Sequence, residues 1–593
     1  MLRTHNCGQL NETNIEEEVK LCGWVSNRRD HGGIIFIDLR DRYGITQIVF
    51  DPEHDKNSWG VADSVRPEYA IQINGKVRYR PQGQENPKLN TGKIEIICND
   101  IQILSKSKTP PFEISDYSDI SEDVRYKQRY LDLRRNSVLE NIKFRAKMNH
   151  FVRNWFVQKD FLEVQTPLFT VSSPEGARDY IVPSRLHPGK FYALPQAPQI
   201  YKQLLMVGGV DKYFQIAPCF RDEDPRADRH SCEFYQIDAE LSFVEQEDVL
   251  QICEDFIKDL INNIAPHKTI KDNKIHRLTY QEAIEYYGSD KPDIRYDMKI
   301  HDLSDIFSNT EFSVFKQALE KNGVIKALKF EKTLTRKEID EITQVAQDNG
   351  AKGLAYIIYE EDGPRSPILK FFSDEELQKL EETMQPQTGE MIFFGADTRK
   401  IVNKVLGTVR TDLANKYLSL DDSELAFCWI TDFPFYELDE DTGKIDFSHN
   451  PFGMPQGGME ALENQDPLEI KAYQYDLACN GYELLSGAIR NHRPDILVKA
   501  FELTGKDEDY VKEKFAVLFE AFQYGPPPHG GFAFGFDRLM MLLVDRENIR
   551  DIYAFPKSGK AQDMMVGAPS KIDENLLKEL KLTDIIKKYY RDN

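Results

Sequence analysis

Four clusters of residues have types and spacings suited to chemistry. The first is RDEDPRADRH, which puts Arg221, Arg226, Arg229 and His230 on one charged loop. Guanidinium forks match phosphate oxygens, so such a loop suits a polyphosphate; a solvated surface loop is the plainer alternative. The second is DLACNGYELLSGAIR, with Asp476, Glu483 and, at its end, Arg490. Asp476 and Glu483 are separated by an odd number of positions, so on extended chain they share a face only if it turns or bulges at Gly481. Two carboxylates converging on a phosphate suit Mg2+, a hard cation that keeps water and substrate oxygens, while ordinary strand-end charges are the alternative. The third is PPPHGGFAFGFDRLMMLL, where glycines open an apolar strand and helical spacing begins at Phe536. Arg538 then falls in the first helical turn, where the helix dipole disfavours a cation unless an anion binds nearby; otherwise it is a surface arginine. The fourth is SPEGARDY followed by LPQAPQIYKQLL. It offers Glu175 on a Pro/Gly loop, and Gln199 and Lys202 on one helical face. These polar groups suit the charged ends of an amino acid, or simply a loop and a helix surface.

Together these parts describe arginines, a carboxylate pair and separate polar recognition groups. No P-loop and no dinucleotide-binding glycine fingerprint is present, which points to an ATP-using enzyme on a different scaffold.

The elements that position these groups fall into blocks. Residues 1–105 alternate over 19–25, continue through short β-branched segments at 34–38, 45–50, 69–77 and 93–104, and suit a five-stranded OB-like barrel, among other small barrels. Residues 106–136, with KSKTPPF and an acidic turn-rich stretch, read as an interdomain linker. A long amphipathic helix is expected after Ser137, with Ser137 and Glu140 as a capping box. FLEVQTP reads as a strand stopped by Pro167. Strands are expected at 213–220 and 233–243, joined by a charged loop longer than a simple hairpin needs. Residues 137–285 form the first part of a catalytic domain, 286–424 an inserted domain, and 425–593 the second part, with strand-like segments at 426–435, 449–454 and 475–490.

The chain has 593 residues, enough for about three to five domains at roughly 100–200 residues each. Its 76 Lys plus Arg against 98 Asp plus Glu leave a net charge of −22. That argues against non-specific nucleic-acid binding but leaves room for a local basic groove. The 35 Phe and 27 Tyr exclude a disordered acidic protein. No apolar run reaches the ~18 residues of a membrane span, and no secretory signal opens the chain. Eight scattered cysteines, none in a CxxC pair, suit a reduced cytoplasm better than a disulfide scaffold or a zinc site.

At this point the residues resemble a known family. FLEVQTP is similar to the first motif of class II aminoacyl-tRNA synthetases, FRDEDPRADRH…EFYQID to the second and FGFDR to the third. PEGARD, the three motifs and the insertion, in this order, resemble bacterial-type aspartyl-tRNA synthetases over nearly the whole length. The resemblance implies an α+β fold: an N-terminal OB-like barrel that reads the anticodon, then an antiparallel-sheet catalytic domain with an inserted α/β domain. It implies a homodimer with Pro167 at the interface, and ATP and Mg2+ at the site. The implied reaction joins aspartate to ATP as aspartyl-adenylate, then moves the aspartyl group to tRNA(Asp).

By matched position, Arg221 would contact the α-phosphate and the substrate carboxylate, and Arg538 the γ-phosphate. Phe234 would stack on adenine, with Asp222, Glu223, Gly535, Phe536 and Asp537 around the nucleotide. Arg221, Glu223 and Arg538 would be the catalytic set, and Asp476 and Glu483 would hold Mg2+. Lys202 and Arg490 would face the substrate's side-chain carboxylate, two cations that favour aspartate over asparagine. Glu175, Gln199, Gln236 and Asp238 would line the amino-acid pocket, most of them at the ammonium end, and His449 would lie over it. Phe36 would stack an anticodon base with Arg29 and Gln47 beside it, although alternation in IIFIDL alone favours a core Phe36. His31 and Gly83 resemble the subgroup that also aspartylates tRNA(Asn), which would require a separate amidotransferase.

The chain departs from the family pattern at Ala197, usually serine, at ELLSGAIR, which replaces a glycine triplet, and at Asn450, usually histidine. A second-motif loop one residue longer leaves open whether His230 or Ser231 meets ATP. The alternatives are a strictly tRNA(Asp)-specific enzyme, an asparaginyl-tRNA synthetase, an asparagine synthetase on the same fold, and a non-catalytic nucleic-acid-binding module.

Overall fold

The computed structural model describes residues 1–117, 119–172, 176–227, 230–439 and 442–582. The chain divides into two compact units, Met1–Lys143 with Tyr553–Ser558 and Gln562–Pro569, and Phe144–Ile552 with shorter C-terminal pieces.

In the first unit, five strands close into a barrel in the order Glu18–His31, Ile34–Asp41, Gly44–Phe50, Ile94–Ser105, Ala70–Tyr79. Their alternation explains the closure: Val19, Leu21, Val25, Ile35, Ile37, Leu39, Ile71, Ile73 and Ile96 point inward and are fully buried. Phe36 sits between Ile35 and Ile37 and therefore faces outward, half-buried, which removes the core reading of that residue. Residues 106–136 are not the open linker their prolines and acidic turns suggest. They contain helices Glu122–Lys127 and Arg129–Asp132, and the fully buried Asp132 carboxylate binds Arg125, Arg129 and Arg135. Arg129 also donates to the carbonyls of Tyr553 and Ala554, which joins that C-terminal segment to this unit. The expected capping box does not form. The helix Asn136–Gln158 does begin there, but the Ser137 amide and hydroxyl both donate to the Asp116 carboxylate (3.0 and 2.5 Å), and Glu140 pairs with Lys143.

The second unit is built on an eight-stranded sheet. Its order is His276–Thr279, Phe427–Pro434, Lys471–Cys479, Tyr482–Ile489, His529–Gly535, Glu233–Ser242, Lys212–Phe220, Leu162–Glu163. All neighbours are antiparallel except the two edge pairs. FLEVQTP contributes only Leu162–Glu163, so the strand stops well before Pro167. Residues 449–454 are turn rather than strand, because Asn450 Oδ1 accepts from the Phe452 amide and closes the chain locally. The helix Gln246–Ile264 buries Val249, Cys253, Phe256, Ile257 and Leu260. Phe256 packs with Phe156 and Phe534, and Phe156 stacks on Phe214 at 4.8 Å. On the neighbouring strand Glu233–Ser242, Ile237 and Ala239 pair with Phe534 and Phe214 on this face, and the alternate residues Gln236, Asp238 and Glu240 are left for the opposite one.

The inserted segment makes its own sheet, in the order Ile300–Asp302, Val324–Phe330, Met391–Asp397, Ala355–Glu360, Gly363–Arg365. Alternation along it fills two layers: Leu328, Ile358 and Phe393 on one side, Ile325, Ile357 and Phe394 on the other. Among the described residues no helix is long and apolar enough to cross a membrane, and all eight cysteines are free.

Candidate active site

A cavity of about 160 Å³ opens on the polar face of the large sheet, lined among others by Arg221, Glu223, Phe234, Gln236, Glu483 and Arg538. It draws on three of the four clusters. Arg221 follows the strand Lys212–Phe220, and its amide donates to the Cys232 carbonyl (2.9 Å). Its guanidinium lies 5.2 Å from the Phe234 ring centre, and its buried Nε has no hydrogen-bond partner. A buried donor without a partner costs about 1–3 kcal/mol, which a bound anion would recover. Glu223 and His230 lie on the same charged loop, where Arg226 and His230 exchange backbone hydrogen bonds at 3.1 Å. Burial, and then the nearby arginines against Glu223, hold the His230 imidazole below its usual range. Both His230 and Ser231 line the cavity, so the choice between them stays open. Arg229 and Glu175 lie outside the described residues.

The carboxylate pair solves its spacing problem with the two-residue turn at Asn480 and Gly481, which sets Cys479 opposite Tyr482 and Ala478 opposite Glu483; a bulge follows. Asp476 pairs with Ser486 and Leu477 with Leu485, but Ala478 pairs with Glu483, so Leu484 is the extra residue. Ala478 lies on the Asp476 face, and Glu483 opposite it therefore faces the same way. Burial first, then the Glu483 charge, pushes the Asp476 carboxyl well above its ordinary range, and its buried Oδ1 has no partner. Two converging carboxylates in that state suit a bound cation. Among the described residues no group of three or more His, Cys, Asp or Glu is arranged to hold a metal, so any ion there would draw further ligands from water or substrate.

Arg538 occupies the first turn of the helix Phe536–Leu543, whose N-cap Gly535 offers no side-chain cap. Its guanidinium donates to the Glu483 carbonyl (2.7 Å) and lies 3.7 Å from the Glu483 carboxylate. Asp537 lines the cavity together with Gly535, whereas Phe536 does not. Asp537 accepts from the Tyr235 amide (2.8 Å) and from Arg145 (2.7 Å), and the Phe536 ring is fully buried beneath Arg145. These two fasten the helix to the sheet at the cavity wall.

Beside the cavity lies a cluster of four buried charges, each 3% exposed or less. Lys202 Nζ stands 2.7 Å from Asp238 and 3.3 Å from Glu240, and Arg490 holds Glu240 with two contacts of 2.8 and 3.2 Å. Two cations and two anions give a net charge of zero. The two cations are thus already paired in the free protein, which corrects the expectation of bare positive charge awaiting a carboxylate. Glu240 is the residue sequence reasoning missed. Its signal was period-two polarity in QIDAEL, where Gln236, Asp238 and Glu240 share a face. Gly531 makes room for it, since a Cβ there would sit 2.0 Å from Glu240 Oε2. Burial works to raise both carboxyls. At Glu240 the Arg490 and Lys202 charges prevail and hold it low, whereas Asp238 stays raised, with a partnerless Oδ1.

The Gln199 amide nitrogen is also buried and unpartnered, and Gln236 accepts the Cys219 thiol at 3.3 Å. Ala197 lies beside Gln196, whose amide donates to Asp179 (2.6 Å) and the Ala177 carbonyl (2.9 Å). The Asp222 amide donates to the Arg178 carbonyl, which ties the PEGARD segment to the charged loop. His449 is exposed on one side and packs on Phe433 (5.2 Å) and Tyr280 (6.1 Å) on the other. The desolvation of that side, more than its charged neighbours, holds the imidazole low.

A second candidate site lies on the barrel face. His31 meets Phe36 edge-on at 5.9 Å. Arg29 holds Asp38 with bonds of 2.6 and 2.8 Å and reaches Gln47 at 3.3 Å. Gln47 donates to Glu95, which also accepts from Arg78 (both 2.9 Å). Asp38, Arg78 and Glu95 escaped the sequence reading, although Asp38 lies two residues from Phe36 and opposite Gln47. Gly83, with φ +83°, lies on a separate exposed loop outside this network.

Comparison with known proteins places this geometry. The model for class II tRNA synthetases (D, K and N) matches residues 121–559, and that for an OB-fold nucleic-acid-binding domain matches 19–104. The chain belongs to the class II aminoacyl-tRNA synthetases. This synthetase is 48% identical over 582 residues to an aspartate–tRNA(Asp/Asn) ligase of Chlorobium phaeobacteroides, covering 98% of this chain and 95% of the relative. It is also 48% identical over 584 residues to an aspartate–tRNA ligase of Streptomyces avermitilis, covering 98% of each chain. Among solved structures it is similar to an asparaginyl-tRNA synthetase from Pyrococcus horikoshii (TM-score 0.58, 17% identity, 94% of this chain and 99% of that one). A putative aspartyl-tRNA synthetase from Leishmania major gives a TM-score of 0.58 at 18% identity, covering 93% and 94%. The solved structures speak for the fold of the synthetase alone.

Proposed function

We propose that this chain is an aspartate–tRNA ligase that forms aspartyl-adenylate from L-aspartate and ATP and transfers the aspartyl group to tRNA(Asp), and also to tRNA(Asn). The observation that carries the choice of amino acid is the neutral four-charge cluster beside a cavity walled by arginine and paired carboxylates. Aspartate brings one ammonium and two carboxylates. Its ammonium suits the bare Oδ1 of Asp238, its side-chain carboxylate suits Lys202 and Arg490, and its α-carboxylate suits Arg221. Every buried charge then has a partner. Lys202 and Arg490, already paired with Asp238 and Glu240, would each gain a further anionic partner from aspartate, which the neutral amide of asparagine does not supply. The aspartate–tRNA ligase names of the 48%-identical relatives support the same reading.

The work of the site is positioning and charge. The guanidinium of Arg221, whose Nε is unpartnered, would bind the substrate carboxylate and the α-phosphate and stabilise the charge that develops there. Phe234 offers a face for adenine, Glu223 lies at the nucleotide end, and Arg538 meets the terminal phosphate. Asp476 and Glu483 fit Mg2+, which when bound would neutralise phosphate charge. Gln199 and Gln236 complete the amino-acid pocket, His449 stands at its edge, and Glu175 is assigned to it by the family pattern alone.

On the barrel, Phe36 stacks an anticodon base while Arg29, Gln47 and their hydrogen-bonded neighbours read base edges. His31 and the loop residue Gly83 stand in place of the leucine and lysine that would reject the other anticodon's third base in the strict subgroup. The tRNA(Asp/Asn) names of relatives support that relaxed reading. Leu168, Phe169, Ile181 and Phe191 flank Pro167 and are 43–61% exposed, which supports a dimer formed with a second copy there. A cytoplasmic location follows from these substrates.

Aspartate-dependent ATP–pyrophosphate exchange tests the activation step. Exchange with aspartate and little with asparagine is expected; exchange with asparagine alone would reverse the amino-acid assignment, and none with either would point to a binding module.

A further inference from the structure

The inserted domain leaves and rejoins the catalytic sheet at the turn of the carboxylate hairpin. On the incoming side, Gly288 (φ +66°) presses so closely on the helix Arg399–Tyr417 that a Cβ would meet the Asn403 carbonyl at 2.1 Å. Arg410 of that helix is buried and donates to the carbonyls of Asp293, Tyr296 and Met298 at 2.8–3.0 Å. Residues 288–298, its first stretch, are thereby held to the rest of the insert. Asp293 in turn comes within 3.8 Å of where a Cβ of Gly481 would stand, at the hairpin turn. On the outgoing side, Asn480 of the same turn accepts from the Ala426 amide and donates to the Glu424 carbonyl, both at 2.9 Å. Arg295 closes the ring. Its guanidinium holds Asp293 with contacts of 3.2 and 2.8 Å and reaches the Asp421 carbonyl and the Asp422 carboxylate at 3.5 and 3.4 Å.

The turn held in this way separates Asp476 by four residues on one side from Glu483 by two on the other. Glu483 then offers its carbonyl to Arg538 at 2.7 Å. A shift of the turn would move Glu483, and with it the guanidinium that its carbonyl orients. Among the described residues nothing comparable links the insert to Lys202, which is placed by the helix Gln199–Val207, or to Asp238 and Glu240 on the strand Glu233–Ser242.

We propose that Arg295 and Asn480 are positioning residues, through which the inserted domain sets where Glu483 and Arg538 stand for the phosphates of ATP. The inference rests on the reading of Asp476, Glu483 and Arg538 as the phosphate and metal end of the site. It gives the insert a role in ATP binding and none in aspartate recognition.

Asn480→Gly is the cleanest perturbation. Asn480 has φ +49°, which glycine adopts without strain, so the turn persists while both clip hydrogen bonds are lost. Arg295→Met removes the fork, and Arg295→Lys keeps charge without bidentate geometry. Two lost hydrogen bonds to a positioning turn predict about a fivefold rise in the KM for ATP, with the KM for aspartate changed less than about twofold. Arg295→Lys should fall between Arg295→Met and the wild type. In the free protein, amide hydrogen exchange over Tyr482–Ile489 should quicken in Asn480→Gly while that over Glu233–Ser242 stays unchanged. Should Arg295→Met fail to fold, Asn480→Gly carries the test alone. Glu483→Gln is the control: if it leaves the KM for ATP and its Mg2+ dependence unchanged, the underlying reading of the site fails. If Glu483→Gln disturbs them but Asn480→Gly changes neither the KM for ATP nor the hairpin exchange, the coupling is refuted. Equal changes in both substrates' KM values would refute it too, since they would show a general loss of structure.

Discussion

Replacing Lys202 by methionine removes one cation from the four-charge cluster and keeps most of the side-chain volume. The cluster then goes from neutral to a net −1, with Arg490 left against Asp238 and Glu240. A unit-charge contact near 4 Å is worth about 4 kcal/mol at an effective dielectric of 20, and truncating one partner of a buried pair costs ~2–5 kcal/mol. Asp238 already has a raised carboxyl, so it takes up a proton and relieves part of the imbalance. About 3 kcal/mol should remain against the incoming side-chain carboxylate, or roughly 150-fold in kcat/KM for aspartate. Lys202 does not line the nucleotide cavity, so the KM for ATP should hold. Selectivity for aspartate over asparagine should fall, because the neutral amide does not meet the added negative charge. The assay is ATP–pyrophosphate exchange with each amino acid varied in turn, with thermal melts to confirm folding. A loss of less than about tenfold for aspartate, or an equal loss in the KM for ATP, would show that the cluster does not select the substrate.

Other perturbations separate the parts of the account. Asp476 titrates well above its ordinary range because it is buried beside Glu483. A carboxyl raised in the folded state contributes stability below its ordinary pKa and loses it as pH rises through the folded value. In chelator-containing buffer, Asp476→Asn should therefore gain in Tm on the wild type as pH rises from the ordinary carboxylate range towards neutrality; a difference that stays constant with pH would contradict this. Phe36→Ala should weaken tRNA charging by the ~1–3 kcal/mol of one stacked base and leave aspartate-dependent exchange unchanged, measured as the KM for tRNA against the exchange rate. Gly531→Ala drives a Cβ against Glu240 Oε2 at 2.0 Å and the Ala239 carbonyl at 2.3 Å, so its denaturation midpoint should fall by the equivalent of at least ~1–3 kcal/mol. An unchanged midpoint would mean that the cluster yields more easily than its packing implies.

Much of this fold is legible as alternation. The barrel strands show it because every second residue is a buried Val, Ile or Leu, and the same rule turns Phe36 outward. The site is less legible, because period two breaks where the chemistry needs it to. Asp476 and Glu483 are out of phase in the sequence, and only the two-residue turn at Asn480 and Gly481, which sets Glu483 opposite Ala478, brings them to one face. Glu240 was missed although it continues the polar alternation of Gln236 and Asp238, since a buried carboxylate is readable only once its partners Lys202 and Arg490, distant in sequence, are placed. Residues 106–136 misled for a related reason: prolines and acidic turns suggest solvent, yet Asp132 is buried by three arginines, two of them within one helical turn of it. The role of the insert lies in its two junctions, where single residues such as Asn480 meet backbone from elsewhere in the chain.

The most direct test is aspartate attachment, measured side by side on tRNA(Asp) and tRNA(Asn) from the source organism with the full-length protein, ATP and Mg2+. The account predicts aspartate on both, with charging of tRNA(Asn) reduced by His31→Leu and Gly83→Lys while tRNA(Asp) is retained. A folded protein that attaches aspartate to neither tRNA would contradict it.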